Sequence, residues 1–166
     1  MYRLKGLIEI FLQPGDLFVA DASYQIRTIL GSCVSITLWH PATRTGGMSH
    51  FLLPTRGDAA KGVALDGRYG DEALHQMMNE LKSGGVSPSR CQAKIFGGGN
   101  MFPDHCHPGA INVGQRNGKA ARALLTKQGI PIVSECLFGV GHRQIIFNVH
   151  NGDVWVNQVR PTRSTI

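Results

Sequence analysis

The sequence predicts an α+β fold, a layered α/β/β sandwich of mixed sheets with two main helices on one side. Apolar residues alternate with polar ones, as in β-strands, in short segments that cluster at both ends of the chain. The spacing typical of amphipathic helices occurs in only two longer segments. Because two such helices can cover only one face of a sheet, we expect this layered sandwich rather than a doubly wound sheet.

Five strands are predicted before the first helix. Val34, Ile36 and Leu38 alternate with smaller polar residues, which indicates a half-buried strand. Met48 to Leu53 is predicted to be its partner, in a hairpin closed around Pro41 to Thr45. The other three strands are Leu7 to Leu12, Leu17 to Ala20 and Tyr24 to Ile29.

Two helices and four further strands complete the prediction. Asp71 to Lys82 carries an apolar stripe and is followed by Gly84 and Gly85, which end the helix. Val113 to Gln128 is the second helix, and Gly129 stops it. Its predicted buried positions are Val113, Ala120, Ala121, Leu124 and Leu125. The remaining strands are Cys91 to Phe96, Ile130 to Leu137, Gln144 to His150 and Val154 to Val159.

Length and composition are typical of one ordinary globular domain. The chain has 166 residues, of which 42% are hydrophobic and 17% charged, so we expect a single domain over residues 1–166 with its core at about residues 7–160. No apolar run is long enough to span a membrane, and no signal peptide follows Met1. The four cysteines have irregular spacing without a C-x-x-C pair, which predicts reduced thiols and a cytoplasmic location.

The positive charge of the chain bears on its partners. A formal charge of +6 would suit an acidic partner. However, the 17 basic residues are scattered and aromatic residues make up only 7%, whereas nucleic-acid sites need a basic stripe or stacking aromatics. The sequence therefore argues against nucleic-acid binding and leaves an acidic protein surface open as a partner.

A cysteine and a histidine stand on the two arms of the predicted hairpin. If the turn is centred between Ala42 and Thr43, Cys33 lies opposite Leu52 and Ser35 lies opposite His50. Side chains alternate with a period of two, so Cys33 and His50 share a face as diagonal neighbours, roughly 7–8 Å apart between their backbones. A slip of one residue would put them on opposite faces.

This pair suits nucleophilic catalysis. An imidazole can take the proton of a thiol, because the thiolate is the nucleophile, and can return a proton to the leaving group. Gly31 and Ser32, directly before Cys33, would let a substrate carbonyl approach backbone N–H groups, and the hydroxyl of Thr28 would orient the imidazole of His50. The alternative interpretation is a buried structural cysteine and a histidine at the surface rim.

Two later segments invite a ligand-binding interpretation. The triplet Gly97 to Gly99 follows a strand but lacks the Lys-Ser/Thr of a phosphate loop, so we interpret it as a tight turn that allows close backbone approach. His105, Cys106 and His107 are metal-ligand types, yet side chains so close in sequence seldom converge on one ion. We predict neither a metal nor a cofactor, with metal binding at this loop as the alternative.

Several sequence patterns occur together along nearly the whole chain. They are Thr28-x-Leu30-Gly31-Ser32-Cys33-Val34, Gly46-Gly47-Met48-x-His50-x-x-Leu53-Pro54, Lys94-Ile95-Phe96-Gly97-Gly98, Gly114-x-x-Asn117, Gly129-Ile130-Pro131-Ile132-Val133 and Asn151-Gly152-Asp153-Val154-Trp155-Val156. In this order they resemble the signature of the CheD family of chemoreceptor glutamine deamidases. The combination is much more specific than any one of the patterns.

The resemblance implies a fold, an activity and partners. The fold would be similar to the catalytic domain of the cytotoxic necrotizing factor toxins. The activity would be hydrolysis of selected glutamine side chains in chemoreceptor signalling helices to glutamate and ammonia. The family roles fall on Cys33 as nucleophile, His50 as general base and acid, and Thr28 as the orienting residue. Some members also bind a CheC-type phosphatase, and we expect a monomer without membrane insertion.

The chain departs from the family pattern in three places. In some members the orienting threonine is one residue further from the cysteine, where this chain has Arg27. His142 stands before Arg143 where the family usually has glycine, and the loop with Cys106 is unusual. Besides the enzyme, the open alternatives are a non-catalytic adaptor that binds receptor helices or a phosphatase, and a metal-binding protein.

Overall fold

The computed structural model describes residues 6–105 and 112–161, which form nine strands and two α-helices. The strands are β1 (Ile8–Phe11), β2 (Leu17–Ala20), β3 (Tyr24–Leu30), β4 (Val34–His40), β5 (Thr45–Ser49), β6 (Gln92–Gly97), β7 (Ile132–Leu137), β8 (His142–Asn148) and β9 (Val154–Val159). The helices are α1 (Gly70–Ser83) and α2 (Val113–Lys127). No helix in these ranges is both long and apolar enough to cross a membrane.

The strands form two mixed sheets. One has five strands in the order β2-β5-β4-β6-β7, and only β6 and β7 run parallel. The other has four strands in the order β1-β3-β8-β9, and only β1 and β3 run parallel. The α+β class with two mixed sheets and two main helices is therefore confirmed.

The five-stranded sheet is the middle layer. Alternate residues of β4, namely Val34, Ile36 and Leu38, are fully buried in a core shared with apolar residues of α1 and α2. A second core, which includes Ile26, Met48 and Phe147, lies between the two sheets. Burying one such side chain typically stabilises a fold by about 1.5–3 kcal/mol, so both faces of the middle sheet contribute to stability.

Most predicted elements begin and end within two residues of the observed ones, but the second arm of the hairpin was misplaced. It runs over Thr45–Ser49 rather than Met48 to Leu53. Glycines at 46 and 47 suggested a turn, yet they are strand residues at a tight contact. A Cβ on Gly46 would lie 2.4 Å from the carbonyl oxygen of Leu38 and 3.0 Å from the ring of Phe147.

The buried face of α2 also differs from the prediction. Val113 is 46% exposed, whereas Gly114, Asn117 and Gly118 are buried. A Cβ on Gly114 would lie 2.5 Å from the carbonyl oxygen of Gly98. The first turns of α2 therefore approach the glycine segment after β6 by backbone contact, which an apolar periodicity cannot reveal.

Candidate active site

The hairpin of β4 and β5 has the register that the sequence predicts. Thr37 pairs with Met48, and one further antiparallel pair joins Val34 to Phe51 through N–H···O bonds of 3.1 and 3.0 Å. Cys33, directly before β4, is thus opposite Leu52 and diagonal to His50, directly after β5. Cys33 packs against the core between the two sheets, so this diagonal pair faces the four-stranded sheet.

The backbone of His50 is held by the turn between β1 and β2. Its N–H donates to the carbonyl of Asp16 at 3.0 Å, and its carbonyl accepts from the N–H of Gly15 at 2.8 Å. The carboxylate of Asp16 closes the turn by accepting from the N–H of Gln13 at 2.9 Å. The imidazole is therefore fixed at its base, and His50 is only 3% exposed.

Thr28 fixes the orientation of the imidazole ring through Nδ1. Its Oγ1 lies 2.7 Å from Nδ1 of His50 and 2.8 Å from the carbonyl oxygen of Leu12. A threonine hydroxyl has one hydrogen, and the Leu12 carbonyl can only accept, so that hydrogen belongs to the bond with Leu12. Nδ1 of His50 must then donate to Thr28, which leaves Nε2 without a proton and able to act as a base.

Burial makes both members of the diagonal pair neutral at rest. It lowers the pKa of His50 to about 4, and the negative charge of Asp16 opposes this shift only in part. Burial also raises the pKa of the Cys33 thiol. A neutral thiol beside a neutral imidazole can react by transferring its proton during the chemical step, without a resting ion pair.

The loop that carries Cys33 is held by its carbonyl groups. Gly99 N–H donates to Gly31 at 2.9 Å, Gly98 N–H donates to Cys33 at 2.9 Å, and the side-chain amide of Asn117 donates to Ser32 at 3.0 Å. Within residues 6–105 and 112–161, neither Ser32 N–H nor Cys33 N–H donates to a backbone acceptor. Bare N–H groups are what an oxyanion hole requires, and they belong to the segment predicted for that role.

A cavity of about 450 Å³ is lined in part by the turn that holds the backbone of His50. Asp16, Asp66 and Glu80 contribute to its walls, and part of the Pro54 to Gly67 loop borders it. Its walls include neither Cys33 nor His50, so the chemistry of the diagonal pair does not take place in this cavity.

The other sequence candidates lie elsewhere. Arg27 occupies the outer face of β3, where it pairs with Glu9 at 3.1 Å, so Thr28 rather than position 27 reaches the histidine. His142 begins β8 opposite Val159. Cys106 and His107 lie outside the described residues, as does the side chain of His105. Among the described side chains, no group of three or more His, Cys, Asp or Glu residues could hold a metal ion.

Sequence reasoning missed three contributors to this site: the carbonyl of Leu12, the backbone of Asp16 and the amide of Asn117. The first two act through main-chain atoms, which leave no side-chain signature. Asn117 is a polar residue on the buried face of a helix, fully buried and bonded to two carbonyls. Two signals pointed to Asn117: a polar residue within the apolar period of α2, and its place in the Gly114-x-x-Asn117 pattern.

Comparison with known proteins gives consistent matches. A family model described as CheD chemotactic sensory transduction matches residues 52–158. The chain is 66% identical over 161 residues, 97% of its length and 93% of the relative's, to the probable chemoreceptor glutamine deamidase CheD 2 of Albidiferax ferrireducens. It is 45% identical over 152 residues, 91% of its length and 85% of the relative's, to the probable chemoreceptor glutamine deamidase CheD of Pseudomonas savastanoi pv. phaseolicola.

Proposed function

This chain belongs to the CheD family, and on that premise we propose that it is a deamidase of chemoreceptor glutamines. It would hydrolyse the side-chain amides of specific glutamines in methyl-accepting chemotaxis receptors, giving glutamate and ammonia. Support comes from relatives that carry this activity in their names, one of them 66% identical over 97% of this chain. The observation that carries the mechanism is the hydrogen bond between Thr28 and His50, on the face that Cys33 shares.

The first half of the reaction forms a thioester. Nε2 of His50 takes the thiol proton as the sulfur of Cys33 attacks the amide carbon of the glutamine. The amide oxygen becomes an oxyanion, for which N–H groups of the Gly31-Ser32-Cys33 segment are the donors. The carbon–nitrogen bond then breaks, and the proton on Nε2 passes to the leaving nitrogen, so ammonia departs. Because burial lowers the pKa of His50 to about 4, its protonated ring is a stronger acid than an ordinary imidazolium, which suits this last transfer.

The second half hydrolyses the thioester. His50 takes a proton from a water molecule while the oxygen of that water attacks the thioester carbon. The carbon–sulfur bond breaks, the proton returns to sulfur, and glutamate is released. The net change is addition of water to glutamine with loss of ammonia, so the cycle needs no redox cofactor. Thr28 holds the imidazole in one tautomer through both halves because its own hydrogen is committed to Leu12.

The proposal also covers partners and location. The substrate would be the cytoplasmic signalling helices of receptors. The protein would act on them as a monomer in the cytoplasm. Binding of a CheC-type phosphatase at the same surface stays a prediction, as does a fold similar to that of the cytotoxic necrotizing factor toxins.

The test is to incubate purified protein with a receptor fragment that contains glutamines. We expect release of ammonia and a mass change from amide to acid at individual glutamines. His50→Ala should lower the rate by a factor on the order of 10²–10⁴, because it removes both proton transfers. His40→Ala is a matched control, because His40 ends β4 in the same hairpin and also contacts a threonine, with its Nδ1 2.7 Å from Oγ1 of Thr43. Wild-type protein that binds the fragment without releasing ammonia would indicate an adaptor.

A further inference from the structure

The ladder between the two arms of the hairpin ends beside the nucleophile. After the pair formed by Val34 and Phe51, the N–H groups of Leu52 and Leu53 turn away and donate to Arg68 at 2.8 and 3.2 Å. The carbonyl of Ser32 therefore receives no hydrogen bond from the neighbouring arm. Its partner comes instead from a helix in another layer of the fold.

The side-chain amide of Asn117 occupies the place where the arms separate. One hydrogen of Nδ2 goes to the carbonyl of Ser32 at 3.0 Å, and the other goes to the carbonyl of Leu52 at 2.8 Å. Leu52 is the residue opposite Cys33, so the amide joins both arms at the level of the nucleophile. Asn117 is fully buried, and among the described residues its Oδ1 has no hydrogen-bond partner. Only the NH₂ group of Asn117 is therefore used, and it supplies the two hydrogens that the two carbonyls need.

Holding the carbonyl of Ser32 also orients the N–H of Cys33. The C=O and N–H groups of a trans peptide point in opposite directions, so a carbonyl fixed at Asn117 directs the Cys33 N–H away from Asn117. On that side Gly98 N–H donates to the carbonyl of Cys33 at 2.9 Å, but the reciprocal bond from Cys33 N–H is absent among the described residues. The carbonyl of Gly98 lies against Gly114, where a Cβ would be 2.5 Å away.

We propose that Asn117 is a positioning residue for the nucleophile loop. It fixes the peptide between Ser32 and Cys33, so that the N–H of Cys33 stays unpaired and is aimed at the oxyanion that forms during amide hydrolysis. This inference rests on the proposed deamidase function. Asn117 does not contact the reacting atoms; it acts through a backbone donor whose hydrogen bond strengthens in the transition state.

The test uses a graded series at this position. Asn117→Ser keeps one donor, and Asn117→Leu keeps the approximate size but no donor. We expect kcat for receptor glutamine to fall in that order, by about 10²–10³-fold when the oxyanion donor is misplaced, with KM little changed. Alkylation of Cys33 by iodoacetamide should stay close to wild type, because that displacement forms no oxyanion. If the Leu variant does not fold, the Ser variant alone carries the comparison.

Asn112→Ala is the control on the same helix. The Asn112 side chain accepts from Gln115 N–H at 2.8 Å at the start of α2, so this variant weakens the helix without touching the nucleophile loop. It should retain kcat. Folded Asn117 variants with full kcat would overturn this inference but leave the proposed function standing. A loss of kcat matched by an equal loss of Cys33 alkylation would do the same. Wild-type protein that releases no ammonia would overturn the proposed function and this inference together.

Discussion

Oγ1 of Thr28 lies 2.7 Å from Nδ1 of His50 and connects the two sheets at the candidate site. Thr28 belongs to the four-stranded sheet, whereas His50 follows a strand of the five-stranded sheet. The arrangement of threonine, histidine and cysteine therefore exists only when the sheets are stacked. Because Thr28 also donates to the carbonyl of Leu12, a neutral hydroxyl sets the tautomer of the histidine without a carboxylate.

Substitution of Thr28 should separate orientation from proton transfer. Thr28→Ser keeps the hydroxyl and should retain most of the activity. Thr28→Val keeps the shape but removes both hydrogen bonds, so the imidazole can rotate, and we expect kcat to fall by about 10²-fold. Leaving the buried carbonyl of Leu12 unpaired should also cost about 1–3 kcal/mol of unfolding free energy. Ammonia release and urea unfolding of both variants check this, and equal activity in the two would contradict an orienting role.

The depressed pKa of His50 predicts how stability changes with pH. A histidine at about 4 in the folded protein and near 6.5 when unfolded binds fewer protons in the folded state between these values. Its contribution is thus complete above about pH 6.5 and is lost as the pH falls towards 4, by an amount on the order of 3 kcal/mol. Urea unfolding across this range measures the loss.

His50→Asn supplies the control for that titration, because asparagine retains a donor for Thr28 but does not titrate. The variant should lose less stability than the wild type over the same pH range. Carboxylates such as Asp66, whose pKa the Arg68 hydrogen bond lowers to about 2, are common to both proteins and cancel in the comparison. Identical pH dependence in the two proteins would show that His50 is not the buried neutral group.

The sequence predicted the local geometry of the site better than its tertiary contacts. The hairpin register followed from turn position and side-chain alternation, so the diagonal relation of Cys33 and His50 was predictable even though the second strand was misplaced. The carbonyl of Leu12 was not predictable, because any residue offers a carbonyl and only the folded chain selects one. Asn117 could not be connected to Cys33 either, since their contact depends on how closely α2 approaches the glycine segment.

Thiol reactivity should distinguish Cys33 from Cys91. Cys33 is half-buried and diagonal to His50 in the hairpin, whereas Cys91 is fully buried and burial raises its pKa to about 11. We expect iodoacetamide to modify Cys33 first. Because burial also raises the pKa of Cys33, its rate should still increase between about pH 7 and pH 9 rather than level off. Peptide mapping after limited labelling measures both rates, and a plateau near neutral pH would instead indicate a resting thiolate.

Replacement of Cys33 separates the enzyme from a binding protein. Cys33→Ala removes one sulfur from a half-buried position, so the melting temperature should change little and receptor binding should remain, while ammonia release stops. Cys33→Ser should be nearly as inactive, since a hydroxyl is far harder to ionise than a thiol and the site offers one weak base.

Cys91→Ala is the matched control. Its fully buried thiol should leave a cavity, lower the melting temperature and leave kcat unchanged. Ammonia release by Cys33→Ala would rule out the thioester mechanism at Cys33.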